Sequence, residues 1–180
     1  IPELFPVERP ELLMRIMRIC GANPGMLLDY KNLAYDLMID QRTARNYVSY
    51  LAQSLLLQKL YNYSPNLLTS EKKMKKVYPA NTAFYRALSA EENKPAMLEQ
   101  YFANLLDPGY FWRTPQKEEV DFILVKDKRI IPVEIKIRKK ISKKDAAPVF
   151  KFMHRHKVNE GLIISEDTET VMDDDDTKVR

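Results

Sequence analysis

The residues best placed to do chemistry lie in one stretch: Asp121 in Glu119-Val120-Asp121-Phe122, then Glu134 and Lys136 in Val133-Glu134-Ile135-Lys136. Both segments read as strands, the first ending at Lys126 and the second running from Arg129 to Ile137, with Asp127-Lys128 between them. A turn centred between Asp127 and Lys128 pairs residues equidistant from it, which sets Asp121 opposite Glu134. Cβ atoms in such a pair lie about 4.5–5.5 Å apart, and like charges there destabilise a sheet. The repulsion has three remedies: a shared proton, a basic side chain between the acids, or a cation. Strand alternation puts Glu134 and Lys136 on one face, so an ammonium stands beside the two carboxylates. Mg2+ takes carboxylate oxygens, a backbone carbonyl, waters and substrate phosphate, a demand that this cluster meets. The competing reading is a surface hairpin with solvated charges. Against it, Val133, Ile135 and Ile137 on one face, and Ile123 and Val125 beside Asp121, imply that both faces are at least partly covered.

A further acid belongs with these. In the helix expected from Pro95 to Leu106, Glu99 shares a line with Phe102, Ala103 and Leu106. A buried acid needs a hydrogen bond, an arginine partner, a metal or a reaction centre. The strand Tyr110-Phe111-Trp112-Arg113 precedes the hairpin, and a helix ending near His154 follows it. Asn81 is placed to cap another helix over Thr82 to Leu88. His154 and His156 are two apart, which points them about 200° from each other on a helix, so they are read as surface residues outside the site. Trp112, beside Tyr110 and Phe111, is read as core.

The first half positions a different surface. Leu12, Leu13, Ile16, Met17 and Cys20 recur at helical spacing until Gly21-Ala22-Asn23-Pro24-Gly25 breaks the pattern. A second helix runs through Leu33, Ala34, Leu37 and Met38, and Asp40 is placed to cap a third. That third helix carries Val48, Leu51, Ala52 and Leu55 on one face and Gln41, Arg42, Arg45, Asn46 and Ser49 on the other. Leu56 to Tyr63 alternates as a strand, Ser64-Pro65-Asn66 turns, and Lys76-Val77-Tyr78 returns. Three helices and such a hairpin make a winged helix-turn-helix, with Arg42, Arg45 and Asn46 aimed at base edges. The basic run Glu71-Lys72-Lys73-Met74-Lys75-Lys76 between the arms is expected to track a phosphate backbone, with Lys72 and Lys73 as its contacts. The same module also serves in other proteins for partner docking or structure.

Composition sets the limits. The 180 residues are 45% apolar, enough for one large or two small packed domains. No apolar run approaches the about 18 residues of a membrane span, and Ile1-Pro2-Glu3 opens no signal peptide. A soluble, cytoplasmic protein without membrane contact is expected. The lone Cys20 excludes internal disulfides and cysteine-rich zinc sites, and reads as a buried small hydrophobe. The chain begins with Ile, which suggests a piece of a longer protein. Its net charge of +4 is unevenly spread: residues 99–160 hold fourteen Lys and Arg against nine acids, and 161–180 hold two against seven. A basic body attracts phosphate. Asp173 to Asp176 read as an unstructured acidic tail.

Taken in order, Glu99 on a helix, Asp121 on a strand and Glu134-x-Lys136 on the next strand resemble the PD-(D/E)XK restriction-endonuclease-like superfamily. More closely, Leu98-Glu99, Phe111-Trp112-Arg113, Glu119-Val120-Asp121-Phe122 and Val133-Glu134-Ile135-Lys136 resemble the C-terminal region of a group of prokaryotic AAA-type ATPases. Val120 stands where the superfamily nominally has Pro. The resemblance implies an α/β chain, α+β overall: a winged helix-turn-helix over 1–80, then a restriction-endonuclease-like αβββαβ domain over 81–180 with the acidic tail. It implies that Asp121 and Glu134 hold Mg2+ or Mn2+, that Glu99 adds a ligand or support, and that Lys136 orients a water or braces the transition state. The expected function is a DNA-associated module of an ATPase with a Mg2+-dependent endonuclease-like site for phosphodiester hydrolysis. The alternative is a non-catalytic DNA-binding or protein-binding regulatory module. Arg138-Lys139-Lys140 and Lys143-Lys144 form a basic rim at the start of the helix ending near His154, which either holds a nucleic-acid backbone or is a solvated lysine-rich loop. The ATP-binding domain would be supplied elsewhere in the same protein, because the sequence has four glycines and no G-x-x-x-x-G-K-[ST] run.

Overall fold

The computed structural model describes residues 1, 3–89, 93–167, 169–174 and 177–180. By compactness the chain divides into two units, Ile1–Leu60 with Met74–Leu105, and Tyr61–Lys73 with Leu106–Arg180. The sequence-based division fell between residues 80 and 81.

The N-terminal unit is built on α1 (Pro10–Ala22), α2 (Tyr30–Leu37) and α3 (Gln41–Gln53). Pro10 opens α1, where its missing N–H costs nothing. Asp29 caps α2 by accepting from Lys31 and Asn32 N–H, and Asp40 caps α3 by accepting from Thr43 N–H (2.9 Å) and Thr43 Oγ1 (2.6 Å). Leu12, Ile16 and Cys20 from α1, Leu33 and Leu37 from α2, and Val48 and Leu51 from α3 share one core. Burial pushes the Cys20 thiol up to about 12, so it stays a neutral thiol packed as a small hydrophobe. Leu55 does not join this face: the helix has ended, Leu55 takes a positive φ of 56°, and its side chain is exposed.

Strands β1 (Met26–Leu28), β2 (Leu57–Asn62) and β3 (Lys75–Pro79) run in the order β1-β3-β2, with β1 antiparallel to β3. The loop expected between β2 and β3 contains α4 (Leu67–Lys72), capped by Asn66 through Thr69 N–H. The basic run is therefore broken up. Lys72 ends α4 exposed, Lys73 donates to the Tyr63 carbonyl (3.2 Å), and Lys75 and Lys76 are buried in β3. Burial, with the charge of Arg155, holds the Lys73 ammonium below its ordinary range. Helices α5 (Thr82–Leu88), capped by Asn81, and α6 (Lys94–Leu106) follow.

The C-terminal unit holds β4 (Tyr110–Arg113), β5 (Glu119–Lys126), β6 (Arg129–Ile135), α7 (Lys143–His156), β7 (Glu160–Ile164), β8 (Met172–Asp174) and β9 (Thr177–Val179). Strand order is β4-β5-β6-β7-β9-β8, and Tyr61 and Asn62, the end of β2, pair parallel with β4. From α6 onward the order is helix, three strands, helix, strand, after which β8 and β9 follow. Two of the expected tail acids, Asp173 and Asp174, instead lie in β8, paired with Lys178 and Thr177 of β9. Asp175 and Asp176 lie outside the described residues. Helix α7 packs closely over β7: a Cβ at Gly161 would come within 2.6 Å of Val149 and 2.9 Å of Met153 Sδ. No helix among the described residues is long and apolar enough to cross a membrane.

The core of this unit contains Trp112, Val120, Ile123, Val149 and Phe152. His156 packs into it rather than facing solvent, with its ring 4.4 Å from that of Phe152 and 5.2 Å from that of Tyr63. His154 is exposed, 3.6 Å from Asp174. Burial first, then the charges of Arg155 and Lys73, push the His156 pKa below its ordinary value. The unfolded chain therefore binds this proton more readily than the folded one, and stability falls as pH drops through the unfolded pKa of about 6.5. Urea midpoints should decline between about pH 7.5 and 5.5, above the range where paired carboxylates titrate, and His156→Gln should flatten that decline. An identical slope in the variant would show that His156 does not supply it.

Candidate acid and lysine site

The hairpin of β5 and β6 turns at Asp127 and Lys128, whose φ values of 50° and 64° are those of a two-residue primed turn matched to strand twist. Pairing runs from Lys126↔Arg129 to Phe122↔Val133. The next step along each strand brings Asp121 and Glu134 together, in the register expected.

At this step the strands are bridged by side chains. Asp121 N–H donates to Glu134 Oε2 (3.3 Å), and Ile135 N–H donates to Asp121 Oδ2 (2.9 Å). Ile135 can do this because its neighbour Lys136 N–H points the other way, to the Ile164 carbonyl at 2.9 Å. The β4 to β5 pairing explains the rest: it shifts by one between Tyr110↔Ile123 and Trp112↔Val120, leaving Asp121 and Phe122 together opposite Phe111. Such a bulge re-aims the side chains around it. It also breaks the alternation of β5, so Phe122 and Ile123 are both buried, while Val125, expected to be covered, is 50% exposed.

Lys136 lies just past the end of β6, and its Nζ donates to Glu134 Oε1 at 2.5 Å. Glu134 is buried at 4% exposure, which demands such a partner. Burial of the Lys136 ammonium acts to lower its pKa, but the hydrogen bond and charge of Glu134 and the charge of Asp121 outweigh it, so the pKa is raised. Of the remedies for paired acids, a basic side chain is in place.

Glu99 belongs to the N-terminal unit. Its Oε1 accepts from Tyr78 Oη (2.6 Å) and Lys76 Nζ (3.3 Å), both from β3. Gly25, at φ +78°, makes room for this cluster, since a Cβ there would lie 3.1 Å from Glu99 Oε1. On the same helix Gln100 and Asn104 both donate to the Pro79 carbonyl. The structure thus unites Asp121, Glu134 and Lys136, and gives Glu99 a hydrogen bond and a cation of its own. Among the described residues no three His, Cys, Asp or Glu side chains converge.

Arg42, Arg45 and Asn46 are exposed on α3, and the Arg45 guanidinium lies over the Tyr30 ring, 4.6 Å from its centroid. Lys139, Lys140 and Lys143 are exposed around the start of α7. Sequence reasoning missed the bulge at Asp121, for which the backbone offers no residue signal, and the partnership of Glu99 with Tyr78, which alternation along Lys76-Val77-Tyr78 already puts on one face with Lys76.

The chain is a mixed α/β protein whose sheets present two facing acids and a lysine. It belongs to the family of the domain of unknown function DUF8612, whose model matches residues 1–95. Residues 96–179 match the domain of unknown function DUF4143, a domain often associated with AAA ATPases in prokaryotes. Two curated relatives are similar to it, the uncharacterized proteins Rv2008c of Mycobacterium tuberculosis and Mb2031c of Mycobacterium bovis. Each is 28% identical over 127 residues, covering 62% of this chain and 29% of the relative. The chain thus spans less than a third of the length of these relatives. No solved structure matches it.

Removing the Glu99 carboxylate takes from the buried Lys76 a counter-charge 3.3 Å away and from Tyr78 its acceptor. Glu99→Ala should cost about 3 kcal/mol in urea unfolding, the low end for a broken buried pair because the Glu99 side chain keeps 28% exposure. Glu99→Gln, which keeps an acceptor for Tyr78, should cost less. A change within about 0.5 kcal/mol for Glu99→Ala, the scale of a surface substitution, would remove the cluster from any structural role.

Proposed function

We propose that this chain is a DNA-associated module of an AAA-type ATPase, in which a winged helix engages DNA and a nuclease-like site hydrolyses phosphodiester bonds. The observation that carries the reading is the meeting of Asp121, Glu134 and Lys136 where β5 and β6 are bridged by carboxylates. The order α1, β1, α2, α3, β2, β3 with sheet order β1-β3-β2 supports the winged helix, and the exposed Arg42, Arg45 and Asn46 supply its DNA-facing side chains. The order of α6, β4, β5, β6, α7 and β7 supports the nuclease-like reading.

The donor set suits a hard divalent ion: two carboxylates, with remaining positions filled by waters and phosphate oxygens, are what Mg2+ commonly takes from a protein. Asp121 and Glu134 would hold it, and when bound it would acidify a water and offset charge on the phosphate. Asp121 is held in place by Ile135 N–H. Glu134 is held by Asp121 N–H and by Lys136, whose ammonium can then brace the charge that develops on a scissile phosphate. Purified protein with Mg2+ or Mn2+ should nick or degrade DNA, and Glu134→Ala or Lys136→Ala should lower the rate at least about 100-fold, the scale of losing one preorganised charge. Undiminished rates in both variants would place the activity elsewhere.

One observation favours a second reading, a non-catalytic binding or regulatory module: Glu134 is already closed onto Lys136 at 2.5 Å. If calorimetry detects no Mg2+ binding, and Asp121→Asn or Glu134→Gln raises stability, this reading replaces the first.

A further inference from the structure

The Asp121 and Glu134 carboxylates repel a phosphodiester, and Lys136 is engaged with Glu134. Beyond any ion the acids hold, an anionic strand is drawn to this pair by a further cation at the mouth, fixed in direction, with donors to spare.

Arg138 meets each condition. It stands two residues beyond Lys136, in a turn closed by its own N–H donating to the Lys136 carbonyl (2.7 Å), and Lys136 is itself pinned to β7. Its charge reaches Lys136, where it opposes protonation. Its Nη2 pairs with Asp145 Oδ1 in the first turn of α7. Asp145 cannot swing away: its Oδ2 accepts from Ser142 N–H (2.9 Å) and Ser142 Oγ (2.7 Å), and its side chain is 14% exposed. The Arg138 side chain is 53% exposed, and its Nε and Nη1 donors have no partner among the described residues. A guanidinium gripped on one edge and open on the other is suited to bidentate phosphate recognition. An exposed pair of this kind is worth little as a stabiliser, so folding alone gives no strong reason for its geometry.

We propose that Arg138 is the phosphate-binding residue at the rim of the Asp121, Glu134 and Lys136 site, with Asp145 as its positioning residue; this rests on the hydrolytic reading of that site. The ligand is one phosphodiester of the nucleic-acid strand whose neighbouring bond is presented to the acids.

The test uses the whole chain and a labelled DNA duplex, with binding measured in EDTA across a salt series and cleavage measured in Mn2+. Loss of one phosphate contact lowers the slope of log affinity against log salt by about 0.9. Arg138→Ala should show that drop and about tenfold weaker binding at low salt, at unchanged thermal stability. Arg138→Lys, which keeps the charge and loses the fork, should recover the slope but not the cleavage rate. Asp145→Asn should keep the slope and lower kcat more than it raises KM. Lys128→Ala, at the far tip of the same hairpin, lowers the slope by less than Arg138→Ala if the contact is local. An Arg138→Ala slope equal to that of the unaltered protein, or no steeper a loss than Lys128→Ala, overturns the assignment. If the unaltered protein cuts nothing, the hydrolytic reading fails while the salt slopes still decide Arg138. If it cuts and Arg138→Ala cuts and binds as well, Arg138 fails alone.

Discussion

The reversal at Asp127 and Lys128 fixes everything chemical in the C-terminal unit. Two consecutive residues with positive φ leave no slack, so each residue of β5 has a set partner on β6. A slip of one residue would send Glu134 to the opposite face of its strand and bring an apolar neighbour against Asp121. Asp127 suits the first position of such a turn but Lys128 stands where glycine is preferred, so the local conformation is held largely by the strands it joins, above all by Phe122, Ile123 and Val133, which are fully buried.

Burying an acid such as Glu134 is costly, and the structure offsets that cost with groups that are themselves constrained. Asp121 and Glu134 each accept from the other strand's backbone, and Lys136 completes the set. Like charges that would push the strands apart are thereby converted into cross-links between them. The same logic recurs in the N-terminal unit, where Lys76, Tyr78 and Glu99 form a second small network between β3 and α6. Each network ties one element to its neighbour through carboxylates, two in the hairpin and one in the N-terminal unit.

Much of this was legible in residue order. The caps at Asp40 and Asn81, the three helices of the first half, the hairpin and its register all follow from local chemistry: side-chain oxygens competing for free N–H groups, and side chains alternating across a strand. What escaped depends on distant packing. Lys75 and Lys76 look like solvated charge in a lysine run, yet β3 lies between β1 and β2 and buries them. His156 sits among Arg155 and Lys157 in sequence but against Tyr63 and Phe152 in space. Asp173 and Asp174 belong to a run that reads as unstructured, yet they gain a ladder from β9. Glu99 shows both sides: its need for a partner was apparent from spacing, it is only partly buried, and its partners come from a strand some twenty residues earlier.

The threading of the chain has a consequence for how such proteins are assembled over evolutionary time. The polypeptide leaves the first unit after Leu60, returns at Met74 and departs again after Leu105, whereas the two family models meet at residues 95 and 96. A recombination event at that seam would carry α6, and Glu99 with it, away from the strand that holds its carboxylate. The inherited modules and the folded units are therefore offset, by residues 61–73 and by α6, and exchanging the second half for a foreign one demands that the newcomer bring a helix able to take up Lys76 and Tyr78.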